Sequence, residues 1–209
     1  MSLANQISTL LLPSRCVICQ RFPHAICDDC WQAIPIGVRT VTKNQLTGFA
    51  ITQYSAETAN LINAFKEYGQ RKLGERLTQE IVRLLPRPDA DVLLAAPSSA
   101  KNFAARGFVP AEVIARILSR AWRIPVNRLN VATRLGDQAE LDRSHRLSNL
   151  VGAMSARRPL NGKRVLLIDD IVTTGATLSE MARAATEAGG LVLGFITVAE
   201  TIPKTHTKI

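Results

Sequence analysis

The stretch RVLLIDDIVTTGATL, from Arg164 to Leu178, limits this chain more than any other. Val165 to Ile168 form a short uninterrupted apolar run, the pattern of a strand covered on both faces. Two adjacent aspartates, Asp169 and Asp170, follow where that strand emerges. Like charges side by side repel, so a cationic or hydroxyl-rich surface is expected to face them. Thr173, Thr174, Gly175, Ala176 and Thr177 make a hydroxyl-rich turn ahead of a helical stripe at Leu178, Met181, Ala182 and Ala185. Such a turn presents backbone N–H groups and hydroxyls to an anion. A plain strand, turn and helix capped by Thr174 or Thr177 would account for each piece taken alone. The fused string sets carboxylates on one side of a crevice and a phosphate-sized nest on the other, as a sugar phosphate requires.

The remainder of the chain from Gly48 reads as α/β. Ala50 to Tyr54 suggests a strand, and SAETANLINAFKEYGQRKLGERLTQEIVRLL suggests two helices hinged near Gly69. DVLLAAP is an apolar strand followed by the irregular SSAKNFAARG. A helical stripe at Ile114, Ile117, Leu118, Ala121 and Trp122 comes next, and Ile124 to Val131 hold a further strand. After the Asp-Asp strand and its helix, LVLGFITV closes the pattern. Alternating strands and helices imply a mostly parallel sheet flanked by helices, with ligands bound at the carboxyl ends of its strands.

All four cysteines fall in CVICQRFPHAICDDC, as Cys16-x2-Cys19-x7-Cys27-x2-Cys30. Two CxxC turns can fill one tetrahedral zinc site, and a site with four protein ligands has no open position, so its role would be structural. The alternatives are a redox dithiol or two disulfides. His24 reads as a loop histidine. The expected organisation is a zinc-binding module with a preceding amphipathic helix (Leu3, Ile7, Leu10, Leu11) over residues 1–47, and the α/β domain over 48–209.

Composition narrows the function classes. The 209 residues are 46% hydrophobic and 21% charged, with no apolar run near the roughly 20 residues of a membrane span. The start, MSLANQISTLLLPSRC, lacks a basic leading segment, which makes the cytoplasm the expected location. A net charge of +9 favours polyanionic partners such as nucleic acids or phosphorylated metabolites. Aromatic content is only 5%, so no base-stacking platform is evident.

VLLIDDIVTTGATL resembles the phosphoribosyl pyrophosphate (PRPP) binding signature of type I phosphoribosyltransferases. More narrowly, the chain resembles the ComF family of competence proteins. The four-cysteine knuckle, INAFKEYGQRKLGERL, APSSAKNFAARGF and the set Gln138, Leu141, Arg146 and Asn149 carry that resemblance in order. It implies a type I phosphoribosyltransferase-like fold in which Asp169 and Asp170 contact the ribose hydroxyls. Thr173 to Thr177 would hold the 5′-phosphate, and Ser98, Ser99 and Lys101 would face the pyrophosphate with help from Arg106. Mg2+ would accompany the pyrophosphate, and Arg134 to Asn149 would form a closing loop. His145 in that loop is given no role. Where ComF proteins often read Arg-Gly-Phe-Asn-Gln, this chain has Val109 and Pro110 after Phe108, which removes two amides.

The resemblance implies a protein that binds PRPP or a related ribose phosphate and acts in uptake, processing or utilisation of internalised DNA. Single-stranded DNA and a helicase-like protein are the implied partners. The alternatives are an active phosphoribosyltransferase in nucleobase salvage or nucleoside metabolism, and a scaffold whose inherited site is idle.

Overall fold

A computed structural model describes residues 15–22, 25–131 and 152–202. The expected N-terminal helix, His24, and the segment 134–149 with Gln138, Leu141, His145, Arg146 and Asn149 lie outside the described residues.

After the cysteine turns and a short helix α1 (Asp28–Gln32), two strands form a hairpin, β1 (Arg39–Lys43) and β2 (Leu46–Gln53). Asn44 and Gln45 link them with φ of 49° and 67°. Positive φ at both turn residues matches the twist of a tight two-residue hairpin. β1 lies before the division expected at residue 47, yet it is hydrogen-bonded into the main sheet through β2.

Helices α2 (Ala56–Lys66) and α3 (Arg71–Leu84) follow, with Gly69 at φ 70° between them, as the expected hinge. Ser55 and Thr58 cap α2 reciprocally. β3 (Val92–Ala95) leads to α4 (Ala100–Arg106) and α5 (Pro110–Trp122), whose Pro110 opens the helix where its missing N–H costs nothing. The strand expected over Ile124 to Val131 is split. β4 (Val126–Asn127) joins the main sheet, whereas β5 (Leu129–Val131) pairs antiparallel with β6 (Met154–Ala156) in a separate ribbon.

The chain closes with β7 (Arg164–Ile168), β8 (Ile171–Val172), α6 (Ala176–Glu187) and β9 (Leu191–Glu200). The sheet runs β1-β2-β9-β7-β3-β4, with β8 beside β9. The β1–β2 pair is antiparallel, and the β2–β9, β9–β7, β7–β3, β3–β4 and β8–β9 pairs are parallel. α3 and α5 pack on each other, α3 against β9 and α5 against β3 and β7, while α6 packs against β7 and β9. This is the mostly parallel, helix-flanked α/β architecture that the pattern predicts.

Register is what builds the site. β3 and β7 pair from Val92 with Val165 to Ala95 with Ile168, so both strands end at one level. At the opposite end Arg164 fixes that register. Its backbone N–H and its Nη2 donate to the two oxygens of Asp91 at 2.8 and 2.9 Å, and its guanidinium also reaches Asp89. The guanidinium holds the Asp91 carboxyl well below the usual carboxylate range. Buried Glu180 and its partner Arg183 on α6 hold the N–H and C=O of Met154 at 2.8 and 2.7 Å, anchoring the β5–β6 ribbon.

Gly175 is required by the fold twice over. Its φ is 83°, and a Cβ there would lie 2.6 Å from Lys43 Cβ of the hairpin. Gly175→Ala is therefore expected to lower stability by about 1–3 kcal/mol, read as a lower urea midpoint with unchanged slope. An unchanged midpoint would contradict this packing.

Candidate active site at the carboxyl edge of the sheet

Asp169 and Asp170 follow Ile168, the last residue of β7, as expected. Backbone pairing continues past them, Asp169 N donating to Ile196 O at 3.1 Å and Val198 N to Asp170 O at 3.0 Å, and β8 resumes beside β9. The acid pair thus lies between two strand pieces and is almost enclosed, with exposures of 9% and 8%. Backbone N–H groups stabilise each carboxylate. Asp170 N donates to Asp169 Oδ1 at 2.8 Å, and Ile171 N donates to Asp170 Oδ1 at 2.9 Å.

A cation does face the pair. Lys66 Nζ, at the end of α2, reaches Asp170 Oδ2 at 3.2 Å with a quarter of its side chain exposed. Asp169 is different. Burial first, then the neighbouring Asp170, pushes its carboxyl well above the usual range. The two acids therefore differ, Asp170 paired with Lys66 and Asp169 inclined to keep its proton.

Thr173 and Thr174 are exposed beyond β8, Gly175 is buried, and Ala176 and Thr177 are half-buried. The cap position of α6 is taken by Gly175, not by Thr174 or Thr177. Thr174 Oγ1 instead accepts from Ala176 N at 3.4 Å. The loop is braced from outside. Asn44 Nδ2, in the hairpin turn, donates to Thr174 O and to Ser179 Oγ, both at 3.1 Å. Free hydroxyls and first-turn N–H groups at a helix start are what a phosphate monoester needs.

Ala96 N donates to Ile168 O at 2.8 Å, so the loop carrying Ser98 and Ser99 leaves the sheet beside Asp169. Ser99 caps α4, accepting from Asn102 N at 3.2 Å, and Lys101 is exposed. Arg106 points elsewhere than expected. Its guanidinium holds the Glu67 carboxylate by two bonds, Nε at 3.0 Å and Nη2 at 2.8 Å. A hollow of about 170 Å3 opens next to this loop, lined by Ala95, Pro97, Glu112, Arg128, Leu129 and Arg157. The fold thus brings the acid pair, the threonine loop and the serine loop to one sheet edge.

Sequence reading missed Lys66, Glu67 and Asn44. Lys66 had a signal, because two adjacent carboxylates at a buried strand end demand a cation and KEYG closes a helix. Asn44 had none, since an asparagine between two strands reads simply as a turn.

The cysteines form a second centre. The Sγ atoms of Cys16, Cys19, Cys27 and Cys30 lie within 4.8 Å of one another, and all four thiols are free. Cys19 Sγ and Cys27 Sγ stand 3.7 Å apart. Two sulfur ligands at about 2.3 Å from one tetrahedral zinc would stand about 3.8 Å apart. Arg21 Nε donates to Cys19 Sγ at 3.4 Å and lowers that thiol to about 6. Hydrogen bonding to Cys27, then burial, pushes Cys30 up to about 12. Four such thiols cannot all ionise without a cation among them, and a dication such as zinc fits the donor set. Arg76 of α3 ties this knuckle to the sheet domain, its Nη2 3.1 Å from Asp28 and its guanidinium 4.2 Å over the Trp31 ring.

The family described as phosphoribosyl transferase domain matches residues 103–208, just over half of the chain. The competence protein ComFC of Bacillus subtilis is 27% identical over 181 residues, covering 83% of this chain and 72% of that protein. The DNA utilization protein YhgH of Escherichia coli (strain K12) is 24% identical over 193 residues, covering 87% and 80%. An adenine phosphoribosyltransferase structure from Thermoanaerobacter pseudethanolicus superposes with a TM-score of 0.43 at 14% identity, covering 78% of this chain and 83% of that one.

The raised Asp169 carboxyl has a stability consequence. A folded-state pKa above the unfolded one adds stability below the unfolded value, near 4, and loses it as pH rises toward the folded value. Asp169→Asn keeps the acceptor for Asp170 N and removes the charge conflict. Its melting temperature should exceed wild type at pH 7.5, by about 2–4 °C for each kcal/mol released, with the gap closing toward pH 4. A variant less stable at pH 7.5 would contradict the assignment.

Proposed function

Because the chain belongs to the phosphoribosyl transferase domain family, we propose that its crevice binds PRPP or a related ribose phosphate. We further propose that the protein acts in the utilisation of internalised DNA. The observation that carries this reading is the meeting of three unlike loops at one sheet edge. Carboxylates suited to ribose hydroxyls stand beside a hydroxyl-lined helix start suited to the 5′-phosphate, and beside the Ser98–Ser99 loop suited to pyrophosphate. The DNA role is supported by the likeness to ComFC and YhgH, and by the net charge of +9.

In this reading Asp170 grips a ribose hydroxyl while Lys66 pairs with its carboxylate, and Asp169 offers either an acceptor or a retained proton to the second hydroxyl. Asn44 sets the backbone of the phosphate loop. Mg2+ would be held mainly by pyrophosphate oxygens and water, with few protein ligands. Displacing pyrophosphate from the anomeric carbon needs no protein nucleophile, only position and charge. Lys101 is available to the leaving pyrophosphate, whereas Arg106 would have to release Glu67 to take part. The Cys16, Cys19, Cys27 and Cys30 thiolates would hold a structural zinc that folds the knuckle against α3. Among the described residues no helix is long and apolar enough to cross a membrane, and a cytoplasmic location suits the proposed role.

PRPP with Mg2+ at a hundredfold excess over Kd should raise the melting temperature by roughly 5–10 °C through linkage. The double variant Asp169→Asn, Asp170→Asn should lose that shift. No shift in the wild type at millimolar PRPP would reject the reading. Elemental analysis should find one zinc per chain, released by a thiol-reactive agent with a fall in melting temperature. A folded chain lacking metal would refute the knuckle's role.

A further inference from the structure

We infer that the corner between α2 and α3, together with the outer face of α4, binds single-stranded nucleic acid by stacking bases on Tyr68 and Phe103. Tyr68 is 78% exposed and Phe103 is 51% exposed, although large aromatic rings are mostly buried in folded proteins. Both flank one fixed ion pair. Tyr68 follows Glu67, and Phe103 lies one helical turn before Arg106 on the same face of α4. The two bonds from Arg106 to Glu67 hold the two segments together. Arg71 pins the same corner, donating to Gly107 O at 3.5 Å with its guanidinium 5.1 Å from the centre of the Phe108 ring.

The charges around the rings choose the occupant. Arg71, Lys72 and Lys101 are exposed, and none forms an ion pair with an acid among the described residues. α4 buries none of its seven residues. A second copy of a chain with net charge +9 would bring like charges face to face here. A strand of nucleic acid brings both things the surface asks for, flat bases for the rings and phosphates for the cations. The sequence, with its few aromatics, hides this platform because the two rings are 35 positions apart and their segments are joined by the Glu67–Arg106 pair and by Arg71. Lys66 on the same corner reaches Asp170, so a strand held here runs beside the ribose crevice.

This inference rests on the proposed DNA role and sharpens it to direct contact. The test is fluorescence anisotropy of a labelled oligothymidylate 20-mer, titrated with the full chain at 50 and 200 mM NaCl. Tyr68→Ala and Phe103→Ala should each weaken binding by about 5- to 100-fold, while Tyr68→Trp should retain it. Lys72→Gln should lower the slope of log K against log salt by about 0.7. The same variants should keep the PRPP-induced rise in melting temperature, because neither ring lies in the ribose crevice. Oligonucleotide binding that is absent in the wild type, or unchanged in the Tyr68→Ala, Phe103→Ala double variant, overturns the inference. So does self-association of the wild type that the double variant abolishes. Ring-dependent binding without any PRPP shift would uphold this surface and reject the ribose-phosphate reading alone.

Discussion

Two carboxyl groups enclosed at the mouth of a parallel sheet cannot both carry charge without a counter-charge, and most of the candidate site follows from how this chain meets that condition. The register of β3 against β7 closes the strands at one level, and pairing with β9 carries the backbone straight through Asp169 and Asp170. That leaves the pair with two backbone N–H donors and one lysine. One carboxylate is balanced by Lys66, and the other is driven toward its protonated form by burial and by its neighbour. The arrangement costs stability, because burial and a neighbouring acid both oppose charge on Asp169.

Much of this was legible in the sequence because the governing signals are local. The apolar run Val165 to Ile168, the acids after it and the glycine-bearing turn each constrain their own neighbourhood, and the structure keeps their order. The cysteine spacing is equally local, since a CxxC turn fixes its own two ligands. What the sequence could not display are contacts between distant segments. Lys66 meets Asp170 across more than a hundred positions, and Asn44 reaches Thr174 and Ser179 across 130 and 135. Arg106 looked free for an anion until Glu67 was found beside it. Beyond the acids a second strand piece, β8, resumes because β9 offers partners on their far side, a pairing no local pattern encodes. For the same reason Ile124 to Val131 reads as one strand yet serves two sheets.

The helix pair α2–α3 links the parts. Its hinge carries Lys66 toward Asp170 and Glu67 toward α4, with Tyr68 exposed beside them, and Arg76 further along holds the cysteine knuckle. The acid pair and the cysteine knuckle thus bear on different helices of one pair. The contact Arg106–Glu67 sits midway, shared by the basic aromatic corner and the loop beside the acids.

The most direct trial of the account is a crystal structure of the full chain with PRPP and Mg2+. The account predicts a furanose whose hydroxyls lie within hydrogen-bond distance of Asp169 and Asp170, its 5′-phosphate among Thr173 to Thr177, and its pyrophosphate by Ser98 and Ser99. Clear density for the ligand at any other place, or an empty crevice at saturating concentration, would contradict it.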